Sequence, residues 1–140
     1  MSSCPLCQRS DENLIWQDQA CRVIRVEDPA YPAFLRVIWH QHVQEMSDLA
    51  LADRRHLMNV VLAAEEALRS LVNPVKINLA SFGNQVPHLH WHVIPRHPQD
   101  RHFPEPVWGT PQRPGQALAA PDDTILHDAI RDTLAELTSG

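Results

Sequence analysis

"HLHWHVI", running from His88 to Ile94, sets histidines at 88, 90 and 92 with bulky apolar residues between them. A period of two is the period of a β-strand, in which successive side chains point to opposite faces. Leu89, Trp91 and Val93 therefore share a face suited to packing on a core, and the three imidazoles share the other. Such a row is compatible with a metal site, a reaction centre, or the polar side of an ordinary strand. Spacing alone does not separate the first two, because histidine serves as both ligand and nucleophile.

Working outward, "VKINLASF" (Val75 to Phe82) alternates in the same way, and "FGNQVP" reads as a tight connection that pairs it antiparallel with the histidine strand. "CRVIRV" (Cys21 to Val26) and "FLRVIW" (Phe34 to Trp39) are two further strands, separated by "EDPAYPA", whose prolines mark a loop. Leu57, Val60, Val61, Ala64, Leu68 and Leu71 recur at spacings of three and four, which predicts a long amphipathic helix. Ser47 is a suitable N-cap for it with Asp48 in the first turn, and Asn73-Pro74 ends it. From His97 to Pro121 the chain is proline-rich and aperiodic, an arm lying over the body. Asp122 or Asp123 can cap a last helix over 122–138, with Leu126, Ile130, Leu134 and Leu137 on one face. Strands that do not alternate regularly with helices predict an α+β fold: an antiparallel sheet, a long central helix and a C-terminal helix.

The chain's 140 residues are a one-domain length, and 44% hydrophobic with 21% charged residues is ordinary for a globular domain. A net charge of −5 argues against a protein that coats nucleic acid, though a small phosphorylated ligand needs only a local site. Three cysteines make no disulfide framework, and the "CPLC" spacing of Cys4 and Cys7 suggests a metal site or a redox pair. No basic stretch followed by an apolar run opens the sequence, and no uncharged apolar run approaches the ~20 residues that cross a bilayer. The expectation is a cytoplasmic protein without membrane attachment.

"GNQVPHLHWHVIPR" (Gly83 to Arg96) resembles the histidine triad (HIT) family, whose motif is His-φ-His-φ-His-φ-φ with φ apolar. Here φ is Leu89, Trp91, Val93 and Ile94. The strand carrying Asn78, the glycine-containing turn and "FLRVIWHQHVQEMSDL" fit the same pattern. The resemblance covers residues 4 to 96 and implies a single domain over 1–140, with a sheet of about five strands. It also implies nucleotide chemistry: cleavage at the α-phosphate of a dinucleoside polyphosphate or an adenylated small molecule. His90 maps onto the family's nucleophile, which forms a nucleotidyl-histidine intermediate. His92 maps onto the histidine that contacts the phosphate, and His88 completes the triad. Asn78 matches a position near the substrate, and Glu27, with Asp28 beside it, sits near the acidic residue that binds ribose. The turn departs from the commoner Gly-Gln-Ser/Thr wording: Gly83, Asn84 and Gln85 bring amides and no hydroxyl, so Gln85 is the candidate donor there and the leaving group is open.

Some bacterial members of the family bind structural zinc through an N-terminal Cys-x-x-Cys, a histidine after the early strand, and the first triad histidine. These map onto Cys4, Cys7, His42 and His88, with His40 a rival to His42 one alternation away. Two thiolates and two imidazoles fill a tetrahedral site and leave no position open for catalysis. The resemblance further implies a homodimer acting on a small nucleotide. A nucleotide-binding sensor with little turnover is the alternative of a different class. A catalytic zinc on His88, His90 and His92 is a third reading, which leaves "CPLC" unexplained.

Overall fold

The computed structural model describes residues 3–139; Met1, Ser2 and Gly140, the ends of the expected 1–140 domain, lie outside the described residues. Five strands, β1 (Asn13–Gln17), β2 (Cys21–Arg25), β3 (Leu35–Trp39), β4 (Lys76–Ala80) and β5 (His90–Arg96), form one sheet in the order β1-β2-β3-β5-β4. Every neighbouring pair is antiparallel. Three α-helices accompany it: α1 (Pro5–Gln8), α2 (Leu51–Val72) and α3 (Asp123–Thr138).

The alternation read from the sequence divides the sheet into two faces. Cys21 and Val23, Leu35, Val37 and Trp39, and Val93 pack in one buried cluster with Leu57, Val60, Val61, Ala64 and Leu68 of α2. The helix thus buries the stripe its three-and-four spacing predicts, except that Leu71 stays exposed at its end. Asn73 closes α2 in the left-handed conformation, with its N–H on the Arg69 carbonyl. On α3, Leu126 and Ile130 are buried against the same core, Leu134 packs on its edge, and Leu137 lies outside it.

Two expectations about helix starts and turns are corrected. Ser47 does not cap α2: Met46–Asp48 forms a separate 3-10 turn, closed by reciprocal hydrogen bonds between Glu45 and Asp48. Arg54 then donates to the carbonyls of Leu49 and Ser47, and α2 starts only at Leu51. The link between β4 and β5 is not tight, because residues 81–89 form a loop that walls a cleft. β1 is a strand that periodicity misses. A bulge between Leu14 and Trp16 puts Ile15 and Trp16, consecutive residues, both into the core.

The stretch 97–121 contains neither helix nor strand. It is pinned by Asp100, 1% exposed, whose carboxylate accepts from Arg96 Nε (2.8 Å) and Nη2 (3.1 Å) and from the Tyr31 hydroxyl (3.1 Å). The backbone N–H groups of His97, His102 and Phe103 donate to the same carboxylate. Burial raises the Asp100 carboxyl pKa, but these donors outweigh it and hold the group well below the usual carboxylate range. So anchored, the arm carries Val107 and Trp108 back over the sheet's second face, where Val107 meets Tyr31, Phe34 and Ile94.

Candidate active site and metal cluster

The second face carries Arg22 and Ile24 of β2, Arg36 and Ile38 of β3, and His90 and His92 of β5, because register pairs Ile24 with Arg36, Arg36 with His92 and Ile38 with His90. Leu6 of α1 packs on Ile24 and Ile38. Arg22, fully buried, ties α1 down by donating to the Leu6 carbonyl (2.7 Å) and to both oxygens of Glu12 (2.8 and 2.7 Å). A cleft of about 450 Å³ remains between these elements. Its floor is His90, His92 and Arg36. Pro5 and Leu6 form one wall, Phe82 to Val86 another, and Trp108 closes an end.

The histidines are held in different ways. His90 donates from Nδ1 to the His88 carbonyl at 2.5 Å. That fixes the tautomer and leaves the Nε2 lone pair free, since a carbonyl can only accept. Burial lowers the His90 pKa, and the nearby Arg36 charge adds to this against the opposing hydrogen bond. His92 sits edge-on to His90 (5.1 Å between centroids), Trp108 (4.9 Å) and Phe34 (5.6 Å), and its buried Nδ1 has no hydrogen-bond partner. Its pKa falls to about 3, through burial first and then Arg36 and His90. The cleft is therefore built around neutral imidazoles.

His88 is turned the opposite way. Its Nε2 donates to the Trp39 carbonyl at 2.6 Å, so Nδ1 keeps its lone pair and faces Cys4 Sγ (3.4 Å), Cys7 Sγ (3.5 Å) and His42 Nδ1 (3.2 Å). Cys7 Sγ lies 3.3 Å from His42 Nδ1, and all four donor atoms fall within 4.8 Å of one another. Zinc bonds of about 2.3 Å to sulfur and 2.05 Å to nitrogen give tetrahedral edges of ~3.6 Å for S···N and ~3.4 Å for N···N. The donor set and its spacing fit such an ion, and the His88–carbonyl bond is the outer-shell partner that orients a metal-ligating imidazole.

Of the other residues singled out from the sequence, Gln85 lines the cleft with Asn84. Asn78 shares the histidine face, but its Oδ1 accepts from Arg96 Nη1 (2.8 Å) and it does not line the cleft. Glu27 is exposed beyond the end of β2 and does not line it either. His40, the rival ligand, is taken up elsewhere: Nε2 donates to the Asp18 carbonyl (2.9 Å) and Nδ1 accepts from Arg22 (3.2 Å). The cleft residues not singled out are Pro5, Leu6, Arg36, Phe82, Val86 and Trp108. For Arg36 no signal separates it in sequence from the arginines of the other strands.

Comparison with known proteins agrees with this geometry. The family model "HIT domain" matches residues 8–99. A histidine triad protein from Bradyrhizobium japonicum is 28% identical over 92% of each chain, with a TM-score of 0.67. Another from Marinobacter aquaeolei is 25% identical over 92% of this chain and 93% of its own, with a TM-score of 0.70. A zinc-bound histidine triad family protein from Mycobacterium smegmatis shares the fold at 21% identity, covering 98% of this chain and 96% of its own, with a TM-score of 0.63. No curated protein matches the sequence. With a five-stranded antiparallel sheet, a central helix, two histidines on one face of β5 and a third just ahead of it, the chain belongs to the HIT domain family.

Proposed function

We propose that the protein is a nucleotide hydrolase or transferase. It cleaves at the α-phosphate of a dinucleoside polyphosphate or an adenylated small molecule, with His90 as the nucleophile. The observation that carries this is the His90 Nδ1–H bond to the His88 carbonyl, which aims an unprotonated Nε2 at the cleft. In the first step the Nε2 lone pair forms a bond to phosphorus as the bond to the leaving group breaks. The imidazole becomes cationic, and the carbonyl on Nδ1 stabilises that charge. Water then attacks phosphorus, displaces His90, and releases a nucleoside monophosphate. Asn84 and Gln85 line the wall with amides and bring no hydroxyl to meet the leaving group. A polyphosphate, which departs as an anion, suits this site better than an amine.

Cys4, Cys7, His42 and His88 would hold a structural zinc, and the zinc-bound relative from M. smegmatis supports that assignment. The ion's contribution when bound is to fix α1, whose Pro5 and Leu6 wall the cleft. Two copies would associate through α2 and the outer strand β4, where Leu62, Leu71 and Val75 are exposed. A monomeric mass at micromolar concentration would refute that association. The compartment in this reading is the cytoplasm, in line with the absence of any helix, among the described residues, long and apolar enough to cross a membrane.

The test is turnover on diadenosine polyphosphates and adenosine phosphoramidates by the wild type and by His90→Ala. AMP release that the substitution abolishes is the expected result. Nucleotide binding at micromolar strength without release from any substrate would overturn the hydrolase reading in favour of a sensor.

A further inference from the structure

Four arginines lie on the strands of the sheet, and three are fully committed. Arg22 holds Glu12 and the Leu6 carbonyl. Arg25 holds Asp123 and the carbonyls of Pro32 and Pro121. Arg96 holds Asp100, Asn78 and the Glu105 carbonyl. Arg36 differs. Among the described residues its side chain has no hydrogen bond and no ion pair, and its Nε is buried without a partner. The one carboxylate that acts on it at a distance, Glu12, is already bidentate on Arg22.

Arg36 is half-buried, and a desolvated guanidinium N–H without an acceptor is costly, so a fold retains one where something else supplies the acceptor and the counter-charge. Arg36 is the register partner of His92 and lies in the cleft floor beside His90. His92 is neutral, so the guanidinium is the fixed positive charge of that floor. A phosphoryl group brought to His90 is an acceptor-only anion, and a guanidinium is a donor-only cation whose planar edge suits two phosphate oxygens.

We propose that Arg36 is a substrate-binding residue of this cleft, taking the non-bridging oxygens of the phosphate presented to His90. This rests on the nucleotide reading for the identity of the ligand, but it concerns binding and not turnover. The role is electrostatic: the guanidinium places a fixed positive charge in the cleft floor beside His90 and His92.

The experiment measures calorimetric affinity for AMP, GMP, CMP and UMP and for the corresponding nucleosides, with wild type, Arg36→Met and Arg36→Lys. Arg36→Met is expected to weaken every monophosphate by roughly 10- to 100-fold, the range for a lost charge-assisted hydrogen bond, and to leave nucleoside affinity unchanged. Lysine restores part of the loss and keeps a salt dependence that methionine abolishes. The ligand-free Arg36→Met protein should melt at or above the wild-type temperature, because no partner is left unpaired. A residue with a structural role would lower it. Equal losses for nucleotide and nucleoside, unchanged monophosphate affinity, or a clear fall in melting temperature would each overturn the proposal. Phosphate-selective binding through Arg36 with no AMP release from any substrate would leave the inference standing and remove only the hydrolase reading.

Discussion

Asp100→Asn tests the account of the arm most directly, because one carboxylate holds it. The substitution keeps shape and one acceptor oxygen, so some of the bonds from His97, His102 and Phe103 survive. It removes the charge facing Arg96 and turns an amide N–H₂ towards donors. Arg96, 3% exposed, keeps Asn78 Oδ1 (2.8 Å) and the Glu105 carbonyl (2.6 Å), neither of which is charged. Breaking a buried pair by removing one partner costs about 3–5 kcal/mol, and the two surviving acceptors place this case near 3. For a chain of this size that corresponds to a fall in Tm of roughly 10 °C. Urea unfolding followed by circular dichroism measures it as a shift in midpoint at constant slope. The acid limb carries an independent signature. Because the folded-state pKa of Asp100 is depressed, its contribution is full above the ordinary carboxylate pKa near ~4 and is lost as pH falls below that. The variant should therefore lose stability less steeply in acid than the wild type. A destabilisation under 1 kcal/mol, or an unchanged acid slope, would refute the claim that this carboxylate anchors the arm.

The metal cluster predicts one zinc per chain by elemental analysis of protein purified without chelator. Cys7→Ser or His42→Ala should each reduce the content below half, whereas His40→Ala should leave it intact. Zinc retention should weaken as pH falls, since thiolates and imidazoles must lose protons to bind. Gly115 has φ +85°, and an added Cβ would lie 2.7 Å from the Arg101 nitrogen. Gly115→Ala is thus expected to cost about 2 kcal/mol in the same urea titration; a cost near zero would mean that the arm shifts freely at that point.

What the sequence disclosed is what periodicity and local chemistry encode. β2 to β5 announce themselves because each buries alternate residues on the α2 face, and α2 because its stripe runs the length of the helix. Asn73-Pro74 ends that helix where a left-handed residue followed by proline must. β1 was hidden because a bulge breaks the period of two at Ile15. The start of α2 was misplaced because Ser47 and Asp48 satisfy a capping pattern that the chain spends on a 3-10 turn of its own.

The cleft was only half legible for a different reason. His90 and His92 lie on β5 and His88 in the loop just ahead of it, so the shared face of the first two follows from spacing, yet the division of labour among the three does not. His88 turns to the cysteines and His90 to the cleft because each ring donates to a different carbonyl, Trp39 for one and His88 for the other. Trp39 is 49 residues away along the chain from His88. Arg36 sets the sharper limit. In sequence it is one of several arginines in strands, indistinguishable from Arg22 or Arg96. What sets it apart is that Glu12 is already taken by Arg22 and Asp100 by Arg96, a matter of which carboxylate reaches which guanidinium across the folded sheet. A residue defined by the partner it does not have becomes visible only once every other residue's partner is known.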